Sequence, residues 1–165
     1  MKRWRKEDVP VDALLYMRVH VNDVVIVDQN GSTKRHPKPG VFKNRLDPEE
    51  PTKPTGMSTD WDKYATPQET QSRAERSEPT DNGVLRLSAG RVAKIPRQRI
   101  EHTPKQRTPV NPLWRGNRAH TDVFGPKSPK EGKTPDERME IAQVRFDLLE
   151  ICEWAILPPD DPEEE

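Results

Sequence analysis

Hydrophobic residues along this chain come in short bursts separated by long polar stretches. Residues 13–20 alternate, with Leu15, Met17 and Val19 on one side and Leu14, Tyr16, Arg18 and His20 on the other, which predicts a strand with one buried face. A second apolar run at 23–27 predicts a further buried strand, and Asn30-Gly31 after it signals a turn, because both residues accept positive φ. From 34 to 55 five prolines punctuate a polar connection, interrupted by Val41-Phe42 as a short strand or an anchor. Thr66-Pro67-Gln68-Glu69 has the start grammar of a helix: a Thr cap, Pro at the first helical position and Glu placed to reach back to the cap. Its continuation to Arg76 is almost wholly polar, so this helix is expected to be short and on the surface. Asp81-Asn82-Gly83 reads as a turn, followed by strand-like runs at 84–88 and 91–95.

The capping pattern returns at Thr134-Pro135-Asp136-Glu137, ahead of the longest apolar periodicity in the chain. Met139, Ala142, Phe146 and Leu149 form one stripe, and Ile141, Val144, Leu148, Ile151 and Ala155 its neighbour, which predicts a core helix with a wide buried face. Residues 154–157 either continue it or leave as a final edge strand. Strands ahead of a long packed helix, without regular strand–helix alternation, predict an α+β fold: a small mixed or antiparallel sheet packed against one long C-terminal helix, with long polar Pro-rich loops. Residues 1–157 are expected to form a single compact domain and 158–165 a disordered acidic tail.

Composition sharpens this picture. The 165 residues are 30% hydrophobic and 34% charged, with 18 prolines, too polar for a core that fills the chain. The core is therefore expected at 13–27, 84–95 and 139–157. A net charge of zero conceals a basic stretch from Arg91 to Arg118, opposed only by Glu101, and five carboxylates after residue 158. No apolar run approaches the roughly 20 residues of a membrane span. Lys2, Arg3, Arg5 and Lys6 are followed by Glu7, Asp8, Pro10 and Asp12 rather than by an apolar segment, unlike a signal peptide. A cytoplasmic protein is the resulting expectation, with no membrane association. Cys152 is the sole cysteine, which excludes an internal disulfide, and its place on the apolar helix face reads as an inert thiol.

Phosphate-loop and dinucleotide signatures are absent, as is His-Glu-x-x-His, and His20, His36, His102 and His120 never approach metal-ligand spacing, so no metal site is expected. Two His-Thr pairs, His102-Thr103 and His120-Thr121, faintly resemble the paired His-x-Thr/Ser motifs of phosphoester chemistry, in which imidazoles act as acid and base. Histidines pinning loop carbonyls are the structural alternative.

The blocks Met57-Ser-Thr-Asp-Trp61, Thr66-Pro-Gln-Glu-Thr70, Asp81-Asn-Gly-Val84, Glu101-His-Thr-Pro104 and Asn117-Arg-Ala-His-Thr-Asp-Val-Phe-Gly125 resemble a family of small uncharacterised prokaryotic proteins carrying the same blocks in order, from about Leu15 to about Leu149. The resemblance implies a bacterial cytoplasmic setting and brings no activity, cofactor or catalytic residue with it.

Polar residues embedded in structured-looking sequence make up the candidate site. Arg18, His20, His102, His120 and Asp122 are the candidate catalytic groups, and Arg18, Ser58, Asp60 and Asn117 the candidate ligand contacts. An arginine on a strand face needs a partner, and Asp60 and Asp122 are the carboxylates available. Three function classes remain open. The first is a binding or accessory module with a polar Arg/His site, for a protein partner or an anionic small molecule. The second is a nucleotide- or NAD-using transferase or phosphoester enzyme built on Arg18 and His120, although the catalytic Glu-x-Glu of nicotinamide-dinucleotide transferases is missing. The third is nucleic-acid binding through Arg91 to Arg118, with Trp114 as a stacking surface. A polar network that merely fixes loops around a small core is the structural alternative to all three.

Overall fold

The computed structural model describes residues 3–46, 54–107, 115–127 and 134–160. Trp114 and residues 161–165 of the acidic end lie outside them. In chain order the elements are β1 (Leu14–His20), β2 (Val24–Gln29), β3 (Ser32–Pro37), β4 (Arg45–Leu46), β5 (Pro54–Thr55), β6 (Met57–Trp61), α1 (Pro67–Ser72), β7 (Asn82–Ser88), α2 (Ala89–Lys94), β8 (Arg99–His102), β9 (His120–Phe124), α3 (Pro135–Ile151) and β10 (Glu153–Ile156). Six strands make one sheet in the order β10-β7-β1-β6-β9-β8, antiparallel at every pairing. The fold is α+β, mostly sheet, with one long helix near its C-terminal end. No described helix is long and apolar enough to cross a membrane.

Side-chain alternation gives this sheet two different faces. Leu15 stands opposite Trp61 on one side and Leu87 on the other, Met17 opposite Leu85, and Met57 opposite Val123. These residues join Val92 of α2, and Val144 and Leu148 of α3, in one apolar cluster. The alternate positions, Tyr16, Arg18, Ser58, Asp60, His120 and Asp122, form the opposite and largely polar face, across which α1 lies.

The helix starts obey the capping grammar. Thr66 accepts from the Glu69 N–H while the Glu69 carboxylate accepts from the Thr66 N–H, a complete capping box, and Thr134 accepts from the Glu137 N–H. Asn30 and Gly31 take φ of 51° and 80°, closing the β2–β3 hairpin with Gln29 opposite Ser32.

Four expectations are corrected. The run at 91–95 is the helix α2, not a strand, because the Ser88 hydroxyl accepts from the Arg91 N–H and caps a helix start. Asp81-Asn82-Gly83 is not a turn: Asn82 and Gly83 begin β7, and Gly83 is required because a Cβ there would meet the Trp154 ring at 2.8 Å and the Pro158 nitrogen at 2.9 Å. The 24–27 run forms a strand but contributes little core, since β2 pairs only with β3, in a separate two-stranded hairpin that leaves Ile26 51% exposed. The wide buried face of α3 narrows to Ile141, Val144 and Leu148. Met139 and Phe146 point outward at 71% and 56% exposure. The 17-residue helix meets chiefly β7, α2 and the Pro39–Val41 turn, and a single stripe makes those contacts.

Residues 154–156 belong with Glu153 to the edge strand β10, one of the two alternatives read from sequence for 154–157. Pro158 is buried, and Arg35 reaches both its carbonyl and the Asp160 carboxylate, so the first acidic residue past β10 meets the β2–β3 hairpin rather than the basic segment. Beside the other edge strand, β8, lies the N-terminal arm: the Glu7 N–H donates to His102 Nδ1, Lys6 pairs with Glu101, and Gln106 exchanges two hydrogen bonds with the Trp4 backbone.

Candidate functional site

Register brings the polar residues together. Tyr16 faces Asp60 across β1 and β6, Asp60 faces His120, and Ser58 faces Asp122 across β6 and β9. Arg18 lies two residues on from Tyr16, and Ser58 two residues back from Asp60. Because β1 and β6 are antiparallel, both are displaced in the same direction from the Tyr16–Asp60 pair, by about 7 Å.

Asp60 is the structural hub of this face. It is 4% exposed, and its Oδ2 accepts from Thr70 Oγ1 at 2.8 Å and from Arg73 Nη1 at 2.6 Å, while Oδ1 accepts from Asn117 Nδ2 at 2.8 Å. Asn117 in turn accepts the Ala119 N–H. Asp60 and Asn117, expected as ligand contacts, are thus spent on protein groups. Arg18 does not pair with Asp60 directly. Its Nη1 donates to the Thr70 carbonyl at 2.9 Å, the one hydrogen bond of its guanidinium among the described residues. Burial lowers the Arg18 pKa, Asp60 opposes that shift, and the charges of Arg45 and Arg73 reinforce it.

Beside this hub, His120 joins a directed chain of hydrogen bonds. The Thr103 carbonyl lies 3.1 Å from His120 Nδ1, and a carbonyl only accepts, so Nδ1 carries the proton. The Thr103 hydroxyl, 3.0 Å from the same nitrogen, donates to Asp122 Oδ2 at 2.8 Å. His120 Nε2 is then the free lone pair, and Ser58 Oγ lies 3.0 Å from it. Asp122 Oδ1 stands 4.0 Å from Nε2. A close approach holds this geometry: Gly56 packs against Asp122, where a Cβ would come within 2.8 Å of the Asp122 Cβ.

The other two candidate histidines do not join. His20 Nδ1 accepts from the Asn22 N–H and caps its own short turn at Val21–Asp23. His102 belongs to the opposite face of the sheet. It pairs with Thr121, shares the parity of Ile100, and is 1% exposed. Its Nε2 donates to the Arg118 carbonyl and its ring stacks on Tyr64 at 5.9 Å, tying the N-terminal arm to the loop before β9. The expectation that Arg18, His20, His102 and His120 converge is therefore replaced by a grouping of Arg18, Ser58, His120 and Asp122. Thr103, which completes that grouping, was not among the candidates.

Four arginines of the basic stretch have partners within the chain. Arg97 pairs with Glu140, Arg99 lies over Phe124, Arg107 over Trp4, and Arg118 over Tyr64. A cleft of about 660 Å³ beside the N-terminal arm is lined by Arg3, Trp4, Arg5, Lys6, Thr103 and Gln106, so it borders the Thr103 end of the hydrogen-bond chain rather than Ser58. Cys152, at the end of α3, is half-buried, and burial pushes its thiol up to about 11, in keeping with an inert side chain.

Titration of His120 follows from its surroundings. Burial pushes its pKa below the usual 6.5 and Lys105 acts in the same sense, whereas Asp122, the Thr103 backbone and Asp60 act against. The unfolded chain therefore takes up this proton first as pH falls. The contribution to stability is fully present above about pH 6.5 and is lost as pH falls from there to the folded-state value. Glu7 and Glu101, held below the usual 4.5 by hydrogen bonds from Lys63 and Lys6, act only at lower pH. Melting temperatures measured from about pH 7.5 to 5.5 should fall more for the wild type than for His120→Gln. Parallel curves would show that His120 is not held neutral.

No family model, curated protein or solved structure matches the chain.

Proposed function

We propose that this protein is a small binding module whose polar sheet face takes an anionic ligand through Arg18. One observation carries the reading. A half-buried guanidinium makes a single hydrogen bond to protein among the described residues, while the nearest carboxylate, Asp60, is already committed to Thr70, Arg73 and Asn117. Its remaining N–H groups are free to receive an anion, carboxylate or phosphate, by paired charge-assisted bonds. Arg45 and Arg73 add positive potential at Arg18, set against the negative potential of Asp60 and Glu75. The blocks on which the prokaryotic resemblance rests supply Ser58, Asp60, Thr103, Asn117, His120 and Asp122, so the proposed family membership and the proposed site draw on the same residues.

Titration of the full chain with inorganic phosphate and with a nucleoside monophosphate, followed by backbone amide shifts, tests the proposal. Shifts should centre on β1, β6 and α1, and Arg18→Gln should weaken binding at least about tenfold, the equivalent of about 1.4 kcal/mol. Arg91→Gln, on α2, should change nothing. Unaltered binding by Arg18→Gln would overturn the assignment.

A further inference from the structure

We infer that Ser58 is a nucleophile, activated by His120, for acyl transfer from an ester that carries an anionic group. The inference rests on the anion-binding reading for its substrate class, because Arg18 would hold the charged end of the ester on the strand next to Ser58.

Three features of the geometry point to a reactive hydroxyl rather than a filler of hydrogen bonds. The first is the fixed tautomer. The Thr103 carbonyl can only accept, so His120 keeps its proton on Nδ1 and turns the Nε2 lone pair toward Ser58 Oγ at 3.0 Å, as a general base for that hydroxyl requires. The second is the support behind the base. The Thr103 hydroxyl takes up His120 Nδ1 from one side and donates to Asp122 from the other, so a carboxylate steadies the imidazole through one intervening hydroxyl. The same Asp122 presents its other oxygen 4.0 Å from Nε2, where a transient imidazolium would carry its new proton. The third is the order of burial. His120 and Asp122 are each 7% exposed, whereas Ser58 is only partly buried, so the base is more enclosed than the residue it would activate.

The chemistry closes without a further reagent. As Ser58 Oγ bonds to the ester carbonyl carbon, its proton passes to His120 Nε2 and the carbonyl π pair moves onto oxygen. Collapse of that intermediate breaks the bond to the leaving alcohol, which takes the proton from Nε2. Water then repeats the two steps against the acyl-serine, releasing the acid and restoring Ser58. Thr103 and Asp122 are positioning residues. They touch the base and not the substrate.

An uncharged fluorophosphonate tests Ser58 without depending on Arg18. Attack forms the Oγ–P bond, fluoride leaves, and the adduct is read by mass spectrometry of the intact chain and its peptides. Ser58 should be labelled at least about tenfold faster than the exposed Ser72. Ser58→Ala and His120→Gln should both abolish that label. Asp122, the Thr103 backbone and Asp60 favour the imidazolium and Lys105 opposes it, with burial dominant. The rate should accordingly level off above about pH 6.5 rather than climb tenfold per pH unit with hydroxide.

A second variant guards against a fold effect. In Ser58→Cys the new thiol should react with iodoacetamide near neutral pH well ahead of Cys152, whose own ionisation is pushed up to about 11. Absence of the Ser58 adduct, or alkylation of Ser58→Cys no faster than in the urea-unfolded chain, would overturn the inference. Phosphate binding without labelling sinks the nucleophile and spares the anion site. Labelling without phosphate binding leaves the nucleophile standing and removes the assigned substrate class.

Discussion

Replacing Asp60 by alanine is expected to cost about 3–5 kcal/mol of folding stability, the largest effect expected of a polar substitution among the described residues. The carboxylate is 4% exposed and receives three side-chain donors, from Thr70, Arg73 and Asn117. Its removal leaves the Thr70 hydroxyl, itself 2% exposed, without an acceptor, and strands a partly buried guanidinium, so the loss includes the desolvation of groups left unpaired. The three donors belong to α1, the residue following it and the loop before β9, and the damage should spread to all three. Asp60→Asn keeps the shape but replaces one acceptor by a donor facing donors, and should lose nearly as much. Urea unfolding followed by tryptophan fluorescence measures both: the midpoint should fall with the slope preserved. A change below about 1 kcal/mol, the range of exposed ion pairs, would mean that the three bonds are replaced by water.

Phe42→Ala should be as costly, about 3–5 kcal/mol, although Phe42 lies in a Pro-rich connection rather than in a long element. Its side chain has no exposure and joins the cluster of Leu15, Leu85 and Leu148, while its carbonyl accepts from Arg145 Nε of α3. Truncation removes an aromatic ring from a packed interior and loosens the seat of α3. Phe146→Ala is the informative contrast, since that ring is 56% exposed and should change stability by no more than about 0.5 kcal/mol. Denaturant midpoints of the two variants, measured side by side, check the ranking, and equal losses would contradict it.

These two phenylalanines also show where sequence patterning stops being informative. Helical periodicity put Phe146 on the buried face of α3, but periodicity states which residues share a stripe and not how wide a stripe the neighbouring layer covers. Phe42 stood in a polar connection as a strand or an anchor, and only the fold decides for the anchor. Local grammar was more dependable, the turn read at Asn82-Gly83 apart. The alternation of β1, the Asn30-Gly31 turn and both Thr-Pro helix starts are short-range properties, and all are present. The start of α2 lacks that grammar: Ser88 caps it, but neither Pro nor Glu follows, and the β-branched and apolar residues after it had the look of a strand.

The site was half legible. Arg18, Ser58, Asp60, Asn117, His120 and Asp122 were all recognisable as polar residues inside structured sequence, and all but Asn117, which reaches Asp60 from the loop before β9, lie on one face of the sheet. What united them was register between strands up to 62 residues apart, which no local pattern encodes. Parity would have corrected one error. In Arg99-Ile100-Glu101-His102 the apolar Ile100 assigns His102 to the core face, and in His120-Thr121-Asp122-Val123 the apolar Val123 assigns His120 and Asp122 to the other. Thr103 carried no signal of its own, because its role depends on a carbonyl and a hydroxyl meeting the same ring nitrogen.

The N-terminal arm has a meaning for the molecule among its neighbours. A sheet that does not close on itself ends in two strands with unpaired N–H and C=O groups, and such rims recruit strands from other chains into swapped or fibrillar assemblies. Here both rims are only four residues long, and each has other parts of the chain beside it: the arm of Trp4, Lys6 and Glu7 along β8, and the hairpin joined to β10 through the bond from Trp154 Nε1 to the Arg35 carbonyl. The contacts are made largely by side chains, so the arm shields the rim without lengthening the sheet. A chain with so little apolar surface to spare thereby guards its most adhesive backbone with an arm and a hairpin that stand outside the six-stranded sheet.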